Sequence, residues 1–193
     1  EDLKPDGRWT TIKHTKDIEI DSMRRDFTIN SIYCDMKGNL YDPNNGYKDL
    51  KNGVVKFIGK IENRVSEDFL RVLRFIRFSL IFDKNLDVDT LNKLTKYEKK
   101  ISNLSFERRF EELEKIIIHE NFSKNINLKS IRKIIQSSVG ERLNFNNFTR
   151  LCEIEKKIKN ISFLRRLKFL LRDVKKPLNF EKKINKESRK RLK

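Results

Sequence analysis

The feature that most constrains the fold is a change of hydrophobic period near residue 60. Before it, β-branched and aromatic runs at 9–13, 32–36 and 54–58 alternate with the turn-forming sequences KGN, DPNNG and KNG. After about residue 62, apolar residues recur at helical spacing. Five of the six glycines also lie before residue 60. The sequence therefore predicts an α+β chain, with a short β-rich piece over 1–58 and an all-helical remainder.

The helical part divides into amphipathic segments, each with one apolar side. Ser105 is the predicted N-cap of the third segment, whose apolar face holds Phe110, Leu113, Ile116 and Ile117. The predicted helices span 66–82, 89–101, 107–119, 128–137, 145–159 and 163–172.

The net charge is +17, and +14 of it lies after residue 100, where 25 basic side chains stand against 11 acidic ones. A strongly basic half favours a polyanionic partner, because phosphates neutralised by Lys or Arg release condensed counterions. The alternative is a composition that is simply rich in Lys, Asn and Ile. Charge alone leaves both interpretations open.

The two cysteines and two histidines are isolated from one another. Cys34 and Cys152 lie far apart, which argues against a disulfide framework and predicts a reducing, cytoplasmic compartment. His14 and His119 do not have the spacing of zinc ligands. No apolar run approaches the ~18 residues of a membrane span, so we expect no membrane partner. The chain opens with Glu1 instead of Met, which predicts that residue 1 is an interior cut.

The stretch EDFLRVLRFIRF at 67–78 carries arginines at every third residue among large apolar side chains. Phe75 and Phe78 are predicted on or beside the charged side, where a merely solvated face does not require them. Phe can stack on a base, while Asp and Arg offer an acceptor and donors to its edge. The alternative is a ladder of ion pairs on a surface helix. On a helical wheel one arc of about 120° collects the charged side chains: Arg64, Glu67, Asp68, Arg71 and Arg74.

The stretch RRDFTINS at 24–31 combines two cations and an anion with an apolar–polar alternation. The alternation predicts that Phe27 and Ile29 point into a core while the polar residues between them face the other way. The two arginines are candidates to neutralise phosphates. Asp26 or Asn30 is a candidate to bond a sugar hydroxyl.

Four stretches occur in a fixed order: RRDFTINS, DP..G..DL, EDFLRVLRFIRF and SFERRFEELEKII. In that order and at these spacings they resemble the second to fifth motifs of the class II tRNA nucleotidyltransferases, the CCA-adding enzymes, and of the related bacterial poly(A) polymerases. The resemblance covers about residues 7–118 and continues more loosely through 141–193. It implies that 1–58 is the C-terminal part of a nucleotidyltransferase head with a short β-sheet, 59–118 an all-α neck, and 119–193 a partial, RNA-binding body.

Carried over by position, the resemblance assigns Asp68 and Arg71 to the amino-acid template that hydrogen-bonds the base edge of an incoming CTP or ATP. Arg74 would support the pocket or a phosphate. The residues that it implies for holding the ribose and triphosphate are Arg25, Asp26 and Asn30.

Two further motifs are given structural roles by the resemblance. The third, at 42–50, resembles the hinge that lets the pocket change between C and A, but it has Asn45 before Gly46 where the family usually has Gly-Gly. The fifth would buttress the neck helices. The structural residues implied are Asp42, Gly46, Asp49, Glu107 and Arg108.

The reaction implied by the resemblance is metal-assisted attack of an RNA 3′ hydroxyl on the α-phosphate of the nucleotide. Its Mg²⁺ ions need an Asp-x-Asp pair upstream of RRDFTINS, and no such pair lies among the 23 residues before Arg24. The sequence Asp87-Val88-Asp89 follows the base-reading helix and is interpreted as a helix cap. We therefore expect no catalytic or metal-ligating residue in this chain, and no nucleotide transfer by the chain alone.

Three interpretations stay open. The chain is a fragment of a CCA-adding enzyme whose separately encoded N-terminal piece supplies the carboxylates, a fragment of a poly(A) polymerase, or a non-catalytic RNA-binding remnant. The expected partners are tRNA and the substrates CTP and ATP. Phe163 and Phe169 are assigned to the core rather than to stacking on bases. The basic cluster expected to meet the tRNA backbone comprises Lys156, Lys157, Lys159, Arg165, Arg166, Lys168 and Arg172.

Overall fold

The computed structural model describes residues 17–82 and 86–174. This part of the chain is mostly helical and contains a two-stranded antiparallel sheet of β1 (Tyr33–Cys34) and β2 (Leu40–Tyr41). The predicted α+β class is confirmed. The helices are α1 (Ile18–Arg24), α2 (Gly46–Asn52), α3 (Ile61–Glu67), α4 (Leu70–Phe82), α5 (Val88–Leu94), α6 (Glu98–Ile101), α7 (Phe106–Ile118), α8 (Glu120–Asn125), α9 (Lys129–Val139), α10 (Phe148–Lys157) and α11 (Phe163–Leu170), with 3₁₀ turns at Thr28–Asn30 and Thr95–Tyr97.

The first part of the described chain contains less strand than the sequence predicted. The run at 32–36 does contain β1. The run at 54–58 makes only an isolated bridge, between Phe57 and Phe27. The predicted strand at 9–13 lies outside the described residues.

Helix α1 was not predicted from the sequence. Asp17 precedes it and accepts hydrogen bonds from the backbone amides of Glu19 and Ile20, at 2.8 and 3.3 Å. A carboxylate at this position pairs amides that a helix start otherwise leaves unbonded. The helix leads directly into RRDFTINS.

The strand-like alternation predicted for RRDFTINS is wrong, because the chain turns through the 3₁₀ helix instead of continuing extended. Thr28 is consequently buried, while Ile29 is only partly buried against the core. Phe27 is fully buried, as predicted. Asp26, expected on the opposite side from the core, is buried as well.

The third motif forms a turn followed by α2, and so is not a simple connection between strands. Asp42 accepts hydrogen bonds from the amides of Gly46 and Tyr47, at 2.7 and 2.9 Å, which fixes the first turn of the helix. Asn45 adopts a left-handed conformation with φ 55°, which Asn tolerates better than most residues. A Cβ atom on Gly46 would lie 2.0 Å from the carbonyl oxygen of Thr28, so glycine is required here.

The predicted helix at 66–82 is in fact two helices. Helix α3 ends at Glu67, Asp68 is extended with φ −154° and ψ 107°, and α4 begins at Leu70. Asp68 Oδ1 accepts a hydrogen bond from the Leu70 amide at 3.0 Å and so caps α4. The two candidate base-reading residues, Asp68 and Arg71, therefore lie at the junction of two helices rather than on one continuous face.

A single apolar core joins the described elements, and the packing of α4 against α7 lies at its centre. Phe75 of α4 is buried and stacks on Phe57, with ring centroids 5.4 Å apart, so the prediction that Phe75 lies beside the charged arc was wrong. Phe78 is only partly buried and remains on that side. The predicted apolar face of α7 is confirmed, since all four of its members are buried: Phe110, Leu113, Ile116 and Ile117.

Four of the later helices follow the prediction closely: α7, α9, α10 and α11. The helix predicted at 89–101 is interrupted and comprises α5, a 3₁₀ turn and α6, while α8 was not predicted. Asp87 accepts hydrogen bonds from the amide and hydroxyl of Thr90, at 2.9 and 2.7 Å, which confirms its interpretation as a helix cap. Ser105 does precede α7, but its side chain makes no capping hydrogen bond there.

Both cysteines are free thiols, Cys34 exposed and Cys152 buried, in agreement with the expected lack of a disulfide framework. Burial raises the pKa of the Cys152 thiol to about 11. Within 17–82 and 86–174, no helix has the length and apolar character needed to cross a membrane.

Candidate nucleotide-binding site

A cavity of about 440 Å³ lies between the RRDFTINS turn and the junction of α3 with α4. It brings together two motifs whose first residues, Arg24 and Glu67, are 43 positions apart in the sequence. All six residues predicted to bind the nucleotide line it. The full lining is Arg24, Arg25, Asp26, Asn30, Asp68, Arg71, Arg74 and Phe78.

A slightly larger cavity of about 490 Å³ lies between α1 and β2. The chemistry of its lining is mixed and includes the apolar side chains of Met23 and Leu40. Its one predicted site residue is Asp42, whose carboxylate already bonds two amides of α2. The smaller cavity is therefore the better candidate for a functional site.

Asp26 is the most buried acidic residue of the candidate site, with a side chain 7% exposed. Its Oδ1 accepts hydrogen bonds from the Phe27 amide at 3.0 Å and from the Asn30 side chain at 2.8 Å, and its Oδ2 accepts from Arg74 Nε at 2.6 Å. Burial raises the pKa of Asp26, but the hydrogen bonds from Arg74 and Asn30 outweigh it and leave the pKa below its ordinary value. Asp26 is therefore ionised at neutral pH and holds Asn30 in place.

Arg74 lies between two carboxylates. Besides the bond to Asp26, its Nη1 is 3.7 Å from Glu112 Oε1, and its guanidinium lies 5.6 Å from the centre of the Phe78 ring. Two acidic neighbours neutralise much of the charge that Arg74 would offer to a phosphate. This arrangement favours support of the pocket over direct phosphate binding.

Asp68 lines the cavity, and both of its carboxylate oxygens accept hydrogen bonds. Oδ1 accepts from the Leu70 amide, and Oδ2 lies 2.7 Å from Arg108 Nη2. Arg108 belongs to the fifth motif, whose role in buttressing the neck helices stays a prediction. Glu107, its neighbour, is exposed on α7, and its structural role stays a prediction.

Arg71, near the start of α4, is oriented by two residues of α3. Its Nη1 donates to Glu67 Oε2 and to the carbonyl oxygen of Arg64, each at 2.7 Å. Arg64 in turn donates to Glu67 and to the carbonyl oxygen of Arg25. The charged arc seen on the helical wheel therefore ties the helix junction to the backbone of RRDFTINS.

Arg24 and Arg25 are held by an acidic residue that sequence reasoning missed. Asp21 accepts hydrogen bonds from Arg24 at 2.7 Å, from Arg25 at 2.7 and 3.1 Å, and from the Tyr33 hydroxyl at 3.0 Å. The bonds from Arg25 and Tyr33 hold the pKa of Asp21 below its ordinary value. The available signal was its spacing, three and four residues before the two arginines, which places all three on one side of a helix turn.

Gly46 and Asp49, both of α2, contact the RRDFTINS turn at Thr28. Asp49 Oδ2 accepts a hydrogen bond from the Thr28 hydroxyl at 2.7 Å, and Gly46 lies against the Thr28 carbonyl. The third motif thus fixes the turn that carries Asp26 and Asn30. Whether it also acts as a hinge stays a prediction.

The basic cluster predicted for RNA divides into two groups. Its lysines are exposed on α10, on α11 and on the loop between them. Two of its arginines are engaged with neighbours: Arg165 Nε lies 2.6 Å from Glu155 Oε1, and Arg172 donates to the carbonyl oxygens of Asn144 and Asn146 at 3.2 and 2.9 Å.

Arg166 conflicts with the RNA-binding prediction, because its side chain is only 2% exposed. Its Nε donates to Glu155 Oε2 and its Nη1 to the carbonyl oxygen of Ile117, each at 2.6 Å. It therefore joins α11 to α10 and to the end of α7. Phe163 is buried and Phe169 is partly buried against the core, as predicted.

Comparison with known proteins identifies relatives of this chain. The family model of the poly A polymerase head domain matches residues 2–56. The human protein CCA tRNA nucleotidyltransferase 1, mitochondrial, is 40% identical over 130 residues, which cover 66% of this chain and 30% of that protein. The CCA-adding enzyme of Ligilactobacillus salivarius is 36% identical over 110 residues, covering 57% of this chain and 27% of the enzyme. The chain thus spans less than a third of the length of these relatives.

Solved structures of CCA-adding enzymes also match the fold of this chain. A Thermotoga maritima CCA-adding enzyme complexed with tRNA superposes with a TM-score of 0.64 at 27% identity, over 80% of this chain and 41% of that one. A complex of a CCA-adding enzyme with CTP gives a TM-score of 0.65 at 26% identity, over 82% of this chain and 41% of that one. By sequence motifs, sequence identity and fold, this chain belongs to the family of the CCA-adding tRNA nucleotidyltransferases and related poly(A) polymerases.

Proposed function

We propose that this chain forms the nucleotide-selecting part of a CCA-adding enzyme, and that the cavity at Asp68 and Arg71 holds CTP or ATP. The observation that carries the proposal is the convergence of both nucleotide motifs on one cavity of about 440 Å³. That volume lies in the range of small-ligand sites. The cavity also combines the chemistry that a nucleotide needs: donors and an acceptor for a base edge, a partly exposed aromatic ring, and cations for phosphates.

The chemistry of Asp68 suggests how the bases would be selected. An ionised carboxylate only accepts hydrogen bonds. At C4 of the pyrimidine or C6 of the purine, cytosine and adenine carry an amino donor, whereas uracil and guanine carry a carbonyl acceptor. Asp68 would accept from C and A and repel the acceptor of G and U, while Arg71 donates to the remaining acceptors of the edge.

Contacts of the two residues support this role. The Arg108 bond orients Asp68, and the bonds to Glu67 and to the carbonyl oxygen of Arg64 orient Arg71. Solved relatives named as complexes of a CCA-adding enzyme with ATP and with CTP are consistent with the proposed ligands. We further propose the division into a head over 1–58, a neck over 59–118 and a body over 119–193.

Mg²⁺ is implied by the family's reaction, but the described residues do not fit it. Within 17–82 and 86–174, no group of three or more His, Cys, Asp or Glu side chains is placed to hold a metal ion. Asp26 and Asp68, the two carboxylates of the cavity, are each paired with an arginine. We therefore assign nucleotide binding and selection to these residues and no step of the transfer.

A poly(A) polymerase origin is the second candidate, because the matching head-domain family carries that name. The two candidates differ in nucleotide preference. A CCA-adding enzyme needs a site for both CTP and ATP, whereas a poly(A) polymerase needs a site for ATP alone. Equal competition by CTP and ATP for the cavity would favour the first candidate.

We also propose that exposed lysines of the basic cluster meet the tRNA backbone. The solved relative in complex with tRNA supports a partner of this kind. Each phosphate contact that is removed should lower the slope of log affinity against log salt by about 0.9. The double variant K156Q/K157Q should therefore show a shallower salt dependence of tRNA binding in fluorescence anisotropy. The cytoplasmic location stays a prediction.

The proposed selection is tested by competition of all four nucleoside triphosphates, in the wild-type chain and in Asp68→Asn. Asn keeps the size of the side chain but adds a donor, so D68N should bind CTP and ATP more weakly and lose the discrimination against UTP and GTP. Asp89→Asn, at an exposed position on α5, is the matched control and should bind like the wild type. Unchanged discrimination in D68N would contradict the proposed role of Asp68.

A further inference from the structure

Glu112 is a buried carboxylate on α7 that no predicted role explains. Its side chain is 5% exposed. Arg77 Nε lies 2.7 Å from its Oε2, and Arg74 Nη1 lies 3.7 Å from its Oε1. Lys115, one helical turn further along, reaches to 4.0 Å. A carboxylate this buried is strongly destabilising unless it is paired, so its arginine neighbours account for its place in the interior.

Arg74 connects the Glu112 carboxylate to the residues that line the cavity. Arg74 donates from Nε to Asp26 on its cavity side and presents Nη1 to Glu112 on the other side. Asp26 in turn holds Asn30. A continuous line of charged contacts therefore runs from α7 to the turn that lines the cavity, across residues from three separate motifs.

We infer that Glu112 is a positioning residue of the nucleotide site and acts through Arg74. An arginine side chain has large rotamer freedom, and a single hydrogen bond fixes it poorly. A second carboxylate on the opposite side of the guanidinium favours the one rotamer in which Nε faces Asp26. For nucleotide binding the inference rests on the proposed function, whereas the fixing of Arg74 by Glu112 stands independently of it.

The sequence signal for Glu112 is its place on the helix. It precedes the buried Ile116 by four residues, which sets a carboxylate beside the apolar face of α7. Its neighbour Glu111 is exposed. The two residues therefore provide a matched pair of substitutions, E112Q and E111Q, which remove the same charge from adjacent positions of one helix.

The first measurement uses no nucleotide. In proton–nitrogen NMR spectra of the full chain, the Arg74 Nε–H should exchange with solvent about tenfold faster in E112Q than in E111Q, because its rotamer is no longer fixed from both sides. Should E112Q not fold, E112M/R77M replaces the buried Arg77–Glu112 pair by apolar side chains of similar size, and the same signal is read. Unchanged Arg74 exchange in the folded variant overturns the inference.

The second measurement is a double-mutant cycle on ATP binding. E112Q should weaken ATP binding about fivefold in the wild-type background and have no effect in an Arg74→Met background, since the effect passes through Arg74. An equal loss in both backgrounds would make Glu112 a general packing residue and overturn the inference. Absence of ATP binding in the wild type, together with fast Arg74 exchange in E112Q, would count against the proposed function while leaving the positioning of Arg74 supported.

Discussion

Arg108 Nη2 lies 2.7 Å from Asp68 Oδ2, although the two residues are 40 positions apart and belong to different motifs. The side chains are 41% and 30% exposed, so the ion pair contributes at most about 1 kcal/mol to folding. Its consequence is orientation: with the Leu70 amide, it leaves Asp68 one arrangement in which to face the cavity. The fifth motif thereby contacts the residue of the fourth motif that we propose reads the base.

Replacing Arg108 should therefore affect nucleotide binding more than stability. We expect Arg108→Met to shift the free energy of unfolding by less than about 1 kcal/mol, and to weaken CTP and ATP binding about threefold to tenfold. Denaturant titration and nucleotide titration of the same sample check the two effects. Arg150→Met, at an exposed position on α10, is the control. Loss of stability with unchanged nucleotide affinity would contradict the assigned role.

A methyl group at position 46 should disrupt the turn under the site. A Cβ there would lie 2.0 Å from the Thr28 carbonyl oxygen, and this oxygen is backbone that cannot rotate away. We expect Gly46→Ala to lower the free energy of unfolding by about 3 kcal/mol or more. Gly140→Ala, where the positive φ is strained but nothing lies within 4 Å, should cost only about 1 kcal/mol. Equal denaturation midpoints for the two variants would show that the Thr28 contact is not as close as described.

The stabilisation from the Asp26–Arg74 bond should be lost in acid, because the bond depends on an ionised Asp26. The folded chain holds the pKa of Asp26 below its ordinary value, so this contribution is complete above the unfolded pKa of about 3.9 and is lost as the pH falls through the folded pKa. Asp26→Asn should be less stable at pH 7 and should lose about 1 kcal/mol less than the wild type on going from pH 7 to pH 3. Asp21 titrates with the same sign, so D26N keeps some acid dependence. Parallel stability curves, from denaturant titrations at several pH values, would refute the assignment.

Arg166 should matter for folding and not for RNA. Arg166→Met removes two buried hydrogen bonds and leaves Glu155, itself 1% exposed, with Arg165 as its remaining cation, so we expect a loss of about 3 kcal/mol. Arg165→Met, on the more exposed side of the same carboxylate, should cost less. At temperatures where R166M is folded, the salt slope of its tRNA binding should equal that of the wild type. A slope reduced by about 0.9 would place Arg166 on a phosphate after all.

The sequence predicted the helical part and the composition of the candidate site well, for a physical reason. Apolar period fixes a helix face, so Phe110, Leu113, Ile116 and Ile117 were placed in the core before any contact was known. The six candidate nucleotide residues were carried over by position, and they line one cavity. Neither inference required knowledge of distant contacts.

The features that the sequence did not predict depend on contacts between distant residues, or on local hydrogen bonds that interrupt the helical hydrophobic period. Asp68 breaks the helix predicted at 66–82 because its carboxylate caps a new start, and a wheel drawn through it placed Phe75 on the wrong side. Thr28 lies inward, where its hydroxyl donates a hydrogen bond to Asp49. From the sequence, Arg166 was predicted to be a surface cation. Its contacts with the Glu155 carboxylate and with the Ile117 carbonyl oxygen, at the end of α7, could not be predicted.

The central claim is that the cavity binds CTP and ATP through Asp68 and Arg71, and its most direct test is calorimetric titration of the chain with both nucleotides. The titration is done with and without Mg²⁺, on the wild type, Asp68→Ala and Arg71→Ala. We predict binding of both nucleotides by the wild type that persists without the metal and is abolished by either substitution. Absence of nucleotide binding by the wild-type chain, or binding that both substitutions leave intact, would contradict the account.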